Sequence, residues 1–325
     1  MNTNIKLFII ITLSIIIISA SLFIGTHQIN IYNIFTDDTI DKYIFFNTRM
    51  PRVISGFFAG GILAVSGLVF QSIFKNPIAT PFTLGVAGGA SLGAAIYILF
   101  AQSVSIISVF GQTTAAMAGA LVTIFIVYSF AFIKGRLNNI TLLLAGVAVN
   151  FFTSSLIMFI QYFADIEKSY NITRYLTGSL ATVSLNNTLF LIPLSLVAFI
   201  IIYSYHKELD VIAMGEYIAK SRGVNITSSI TILYFTVSFA IATVVSATGP
   251  IGFVGMIIPH IMRMYISFKN KILIPVSFIF GGAFLVFCDT IARIIITPAE
   301  LPVSIITSLI GAPFFIFLIL KTNKL

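Results

Sequence analysis

Residues 252–266 read GFVGMIIPHIMRMYI, and whether this run crosses a bilayer sets the threading of everything after it. The run is short, and Pro259 and His260 interrupt it. The rest of the chain identifies the solvent. Of its 325 residues 58% are hydrophobic and 9% charged, whereas a soluble domain carries about 25% charged residues, so a water-soluble globule of this length could not cover its surface. Lipid must surround most of the protein, which excludes a cytosolic enzyme and a disordered scaffold. The net charge of +8 is thinly spread rather than gathered into a basic stripe, which excludes a DNA-binding domain and any nucleic-acid partner. Cys288, the one cysteine, has no disulfide partner in the chain and no metal-ligand spacing around it.

A bilayer core about 30 Å thick needs ~20 apolar residues per helix. The sequence supplies ten such runs, at roughly 5–25, 53–73, 83–101, 112–133, 140–163, 187–205, 228–247, 252–266, 272–292 and 303–320. The expectation is an all-α polytopic membrane bundle forming a single domain over 1–325. The first run is too long for a signal-peptide core of about 7–15 residues and reads as a retained helix.

The positive-inside rule decides the doubtful run. With ten spans and a cytoplasmic amino terminus, the inner side collects Lys6, Lys75, Lys134, Arg136, Lys207, Lys220, Arg222, Arg263, Lys269, Lys271, Lys321 and Lys324, and the outer side Lys42, Arg49, Arg52, Lys168, Arg174 and Arg293, 12 against 6. If 252–266 stays on one side, the balance becomes 8 inside against 10 outside. Ten spans are preferred. Small residues at four-residue spacing, Gly56/Gly60/Ala64, Gly85/Gly89/Gly93 and Gly111/Ala115/Gly119, let helices approach closely in lipid.

Three stretches depart from plain span chemistry. Arg49-Met-Pro-Arg52 puts two guanidiniums at the outer mouth of the second span, either a dock for acidic groups or local charge balance with Asp37, Asp38 and Asp41. From Ser66, SGLVFQSIFKNPIATPFTLGVAGGASLG places Gln71, Asn76, Pro77 and Pro81 in apolar surroundings. The helix must break there, either beside a conduit and its inner gate or as a cytoplasmic turn. The largest inner loop, about 206–228, contains Glu216 and Lys220 at i,i+4 between Gly215 and Gly223, which reads as a short amphipathic helix. That helix suits a handle for a soluble protein or a segment lying on the membrane.

No GxxxxGK[ST] loop and no HExxH pair occurs, so the chain shows no site for nucleotide hydrolysis or zinc chemistry. His260 and Arg263 lack a carboxylate or thiol partner at useful spacing and read as structural or gate-lining. Asp289, Arg293 and Glu300 read as an ion pair, a docking surface or a proton relay.

Arg49-Met-Pro-Arg52, GGILAVSGLVFQ from Gly60, KNPIATPFTLGVAGGASLG from Lys75, LLLAGVAVN from Leu142, GPIGFVGMIIPHIMR from Gly249, CDTIAR from Cys288 and AELPVSIITSLIGAPFF from Ala299 together resemble the FecCD-type permeases, the membrane subunits of ABC importers for ferric siderophores, haem and cobalamin. The resemblance runs from about residue 45 to the carboxyl end. It implies a cobalamin-importer-permease-like fold with both termini in the cytoplasm, in a bacterial cytoplasmic membrane. It further implies a second permease subunit, two ATPase subunits that use ATP and Mg, and an extracytoplasmic solute-binding protein, with no cofactor on this chain.

Carried over by position, Arg49, Arg52 and Arg293 look like the arginines that meet the binding protein. Met214, Gly215, Glu216, Ala219, Ser221, Arg222 and Gly223 look like the coupling helix seated in the ATPase, and the turn at Asn76 and Pro77 resembles the cytoplasmic gate, with Gln71 and Ile78 beside it. Ile78 and Met50 stand where leucine is commoner, both mild changes. The function so implied is a permease moving an iron complex, a ferric siderophore foremost, by ATP-driven alternating access. The alternative is a secondary transporter with Asp289 or Glu300 as the coupling acid.

Overall fold

A computed structural model of the chain describes residues 3–34, 40–77, 79–100, 105–133, 136–181, 183–267 and 269–322. The chain is a helical bundle. α1 (Thr3–Phe23) leads through two short helices, α2 (Ile31–Ile34) and α3 (Ile40–Tyr43), and a π-helical turn (Ile44–Arg49) into α4 (Met50–Phe74). A 3-10 turn (Pro81–Leu84) precedes α5 (Val86–Phe100), and α6 (Ser105–Ala131) is joined to α7 (Asn139–Phe163) by a ladder of two-residue strands, Phe132–Ile133 and Arg136–Leu137. α8 (Ile166–Leu176) and α9 (Leu185–Ser204) follow, then α10 (His206–Met214) and α11 (Glu216–Ser221). The chain finishes with α12 (Ile226–Thr248), α13 (Val254–Tyr265), α14 (Asn270–Ile294) and α15 (Val303–Thr322).

Among the described residues seven helices are long and apolar enough to cross a membrane, and α5 and α15 are shorter apolar ones. These nine account for nine of the ten expected runs. The tenth, 252–266, becomes α13, whose 12 residues extend only about 18 Å at 1.5 Å per residue. It is preceded by irregular backbone at Gly249–Phe253, where Gly249 (φ 71°) and Phe253 (φ 68°) both take left-handed conformations. For a bulky residue such as phenylalanine that conformation is held only by its surroundings. Here the Phe253 side chain fills the space left by the missing Cβ of Gly311 on α15. The two ends of this segment lie at different levels. Pro250 O accepts from Ser304 Oγ at 2.9 Å near the start of α15, whereas Tyr265 O accepts from Lys6 Nζ at 2.7 Å near the start of α1.

α4 is the central helix, with 83% of its apolar window buried, against 17% for α1 and α7, which face outward. It packs on α14 and α13 by backbone approach at glycines, with Phe57 and Phe58 of α4 against Phe278 of α14. A Cβ at Gly60 would overlap the Gly281 carbonyl, and one at Gly67 would overlap the backbone of Gly255. Gly89 and Gly93 of α5 meet Gly119 and Ala115 of α6 in the same way, so these small-residue repeats are the crossing points of the bundle. Gly85 and Gly111 differ. Both have positive φ, 81° and 69°, and mark breaks rather than crossings.

Helix starts are capped by side chains as local chemistry demands. Asn138 accepts from Ile140 N and Thr141 N at α7, and Asn225 accepts from Ser228 N at α12. Gly67→Val should cost about 1–3 kcal/mol through overpacking against α13. Gly252→Val, where an added Cβ meets nothing within 4 Å, should leave the melting temperature in detergent unchanged.

Candidate functional site

The last carbonyls of α1 have no partners within the helix. Guanidiniums supply them. Arg49 Nη1 donates to Leu22 O at 3.2 Å and Phe23 O at 2.7 Å, its Nη2 donates to His27 O, and Arg293 Nη2 donates to Ser21 O at 3.3 Å. Cations here also oppose the negative end of the helix dipole. Arg52, one turn into α4, forks onto Asp289 of α14, with Nη2 2.9 Å from Oδ1 and Nε 3.0 Å from Oδ2. Its Nη1 reaches Glu300 Oε2 at 2.7 Å in the loop before α15. Arg293 Nε lies 3.2 Å from Asp289 Oδ2. This clasp joins α1, α4, α14 and the loop leading to α15.

Arg49, Arg52 and Arg293 are 5%, 7% and 3% exposed. The resemblance offers them to an external partner; in this structure all three are enclosed by their own chain. The expected charge balance at Arg49 takes another form as well. Asp37 and Asp38 lie outside the described residues, and Asp41 is bound by His27 Nε2 at 2.7 Å and Asn33 Nδ2 at 2.8 Å. Asp289 has guanidinium nitrogens against both oxygens, which leaves it poorly placed as a mobile proton carrier. Beside the clasp, Ser179 N donates to Thr248 O at 2.7 Å and Tyr175 Oη donates to Val245 O at 2.7 Å, tying α8 to the end of α12. Burial pushes the Tyr175 phenol above its ordinary range, so it remains a donor.

The helix breaks after α4, as the sequence requires. Lys75 ends α4 in a left-handed conformation (φ 50°), and Asn76 O accepts from Ala79 N at 3.1 Å to form the turn with Pro77. Ile78 lies outside the described residues. The chain then returns into the bundle, because Phe82 O accepts from Asn150 Nδ2 and Gly85 lies against Gly146 and Val149 of α7. Asn150 is about 16 Å along α7 from its start, so the broken backbone is at membrane depth and is satisfied by protein. Sequence reading quotes Asn150 without giving it a role; the signal is a lone amide inside an apolar run.

Gln71, read as part of the gate, is 4% exposed and works as a tie. Its Nε2 donates to Gly255 O and Met256 O at 3.3 and 3.2 Å, while its Oε1 accepts from Arg263 Nη1 at 2.5 Å. It fastens the carboxyl-terminal end of α4 to α13.

The inner loop folds as two helices, not one. α10 ends at Met214, Gly215 (φ 133°) forms a joint, and α11 runs to Ser221. Met214 and Gly215 therefore precede the short helix, and Glu216 begins it. Gly223 closes α11 in a Schellman arrangement, with Val224 N on Ala219 O at 3.0 Å and Gly223 N on Lys220 O at 3.0 Å. Ala219 is buried, while Met214, Tyr217, Ser221 and Arg222 are exposed. α10 is fixed to the bundle by buried Leu209 and Ile212, and Asp210 Oδ1 accepts from Asn270 N at 2.9 Å at the start of α14. The sequence gives no hint of that last contact, since 60 residues separate the partners.

A model of the FecCD transport family matches residues 11–321. The cobalamin import system permease protein of Halobacterium salinarum is 38% identical over 271 residues, 83% of this chain and 72% of that one. The iron(3+)-hydroxamate import system permease protein of Bacillus subtilis is 31% identical over 287 residues, 87% of this chain and 85% of that one. A solved structure described as a metal-chelate type ABC transporter in an inward-facing conformation superposes with a TM-score of 0.87 at 31% identity, covering 97% of this chain and 98% of that one.

The clasp can be dissected by its burial. Asp289→Asn strands two enclosed guanidiniums and should cost about 3–5 kcal/mol. Glu300→Gln removes a partner that is 33% exposed and should cost no more than about 1 kcal/mol. Detergent-phase unfolding of the two variants checks the difference.

Proposed function

Because the chain belongs to the FecCD transport family of ABC importer permeases, we propose that it is the subunit through which an iron complex, a ferric siderophore foremost, enters the cytoplasm. The relatives are named for cobalamin and for iron(3+)-hydroxamate and the structural neighbour for a metal chelate, which supports this cargo, while a further relative, 31% identical over 288 residues, is named for molybdate. The proposed setting is a bacterial cytoplasmic membrane, with both termini inside. A second permease subunit, the same chain or a homologue, would complete the pathway, and two ATPase subunits would drive it from below with ATP and Mg.

One observation carries the mechanism. Helix α10, which leads to α11 across Gly215, is joined through Asp210 to the first residue of α14, and the far end of α14 bears Asp289 and Arg293 of the outer clasp. α14 and α4 approach at glycine backbones and so move as one body. Force applied at α11, with exposed Tyr217 and Arg222 as its contact face, would therefore be felt at the outer mouth. Docking of a solute-binding protein is assigned to the outer face that Arg49, Arg52 and Arg293 brace from beneath, with Glu300 at its surface. Asn76, Pro77 and Ile78 are assigned to the inner gate, hinged on the re-entrant turn that follows.

The test is reconstitution of the chain with its ATPase and binding protein in vesicles. Uptake of a ferric hydroxamate should persist with an uncoupler while ATP is kept high; its loss would return the ion-gradient alternative. In the same assay Gly215→Pro, which cannot take φ 133°, and Arg222→Glu should leave assembly in the membrane intact yet cut ATP-coupled uptake by about tenfold or more.

A further inference from the structure

A cavity of about 840 Å³ lined by charged side chains lies on the inner face between the end of α4, α10, the turn after α11, the end of α13 and the start of α14. Five cations line it: Lys75, Lys207, Arg222, Arg263 and Lys269. Two acids face them. Asp210 spends one oxygen on the Asn270 amide, and Glu208 keeps an enclosed oxygen without a partner. Among the described residues none of the five cations forms an ion pair, and Arg263 has only the neutral Gln71 amide. Like charges gathered around one hollow repel, and an anion entering it would relieve that repulsion.

We propose that this cavity is a binding site for a phosphate-bearing ligand, supplied by an anionic lipid headgroup or by a soluble phosphate compound. The inference does not depend on the cargo carried; of the five cations only Arg222 also belongs to the proposed ATPase contact face, and Lys75, Lys207, Arg263 and Lys269 do not. A single carboxylate would meet two of the cations at most, whereas a phosphate presents several acceptor oxygens to groups converging from five points of the chain. The volume suits a headgroup rather than a bare ion. The level suits one too, since Lys75 follows the inner end of α4 and Lys269 precedes the inner end of α14, where anionic lipids attract basic pockets between helices. The positive-inside rule by itself asks only that cations be on this side; Lys6, Lys220 and Lys271 satisfy it without lining the cavity.

The probes are phosphatidylglycerol, phosphatidylcholine and inorganic pyrophosphate, each added to the purified full-length chain in detergent. Native mass spectrometry should show phosphatidylglycerol retained over phosphatidylcholine, or thermal melting should rise with pyrophosphate; the first outcome identifies a lipid source and the second a soluble one. Lys207→Gln with Lys269→Gln, two rim changes that leave Arg263 and its Gln71 contact in place, should weaken the retained ligand about thirtyfold. If both lipids bind wild type and variant alike and pyrophosphate shifts nothing, the cavity is no phosphate site, and its cations are left to topology or to carboxylates of a protein partner.

Discussion

In hydrocarbon every backbone N–H and C=O must find its partner within the protein, and the polar residues of this chain are placed where helices fail to meet that demand themselves. α1 ends on Arg49 and Arg293, and α13 ends on Lys6. The first turn of α13 gives carbonyls to Gln71, the re-entrant Phe82 carbonyl goes to Asn150, and the first amide of α14 goes to Asp210. In a chain only 9% charged, that pattern makes each of these side chains a joint between elements distant in sequence. Their removal leaves backbone groups without a partner as well as breaking a contact between elements.

Much of the fold was legible because lipid imposes a length rule. Nine runs became long or shorter apolar helices, and the charge balance treated 252–266 as a crossing although its helix is only 12 residues. What the length rule could not show is the irregular backbone that leads into this helix, since the left-handed Phe253 depends on space left by Gly311, 58 positions away. The small-residue repeats were read correctly as close approaches except where Gly85 and Gly111 bend the chain; spacing alone does not distinguish a glycine chosen for its missing Cβ from one chosen for its φ.

The candidate sites were legible unevenly for the same reason. Gly215 and Gly223 bracket α11 as expected because caps are local chemistry. The arginines were seen as a pair at a mouth, yet their partners come from α1, α14 and the loop before α15, so sequence gave their charge but not their enclosure. Asp289, weighed as a proton carrier, is the centre of the clasp. Its role depends on Arg52, 237 residues earlier, which no spacing rule reaches.

The clasp is asymmetric, and that asymmetry bears on how the outer end can open. Arg52 and Asp289 are both almost fully enclosed, so parting them leaves two bare charges in a poor solvent for ions. Glu300, a third exposed, can exchange Arg52 for water at little cost. The weak bond therefore lies between the α4–α14 pair and the loop that leads to α15, not within the pair. At the inner end the joint at Gly215 likewise places the yielding point between α11 and the body fixed by Asp210. A stiff central pair with one yielding contact at each end can tilt without coming apart. A two-state change needs elements of this kind, which keep their packing while their end contacts are exchanged.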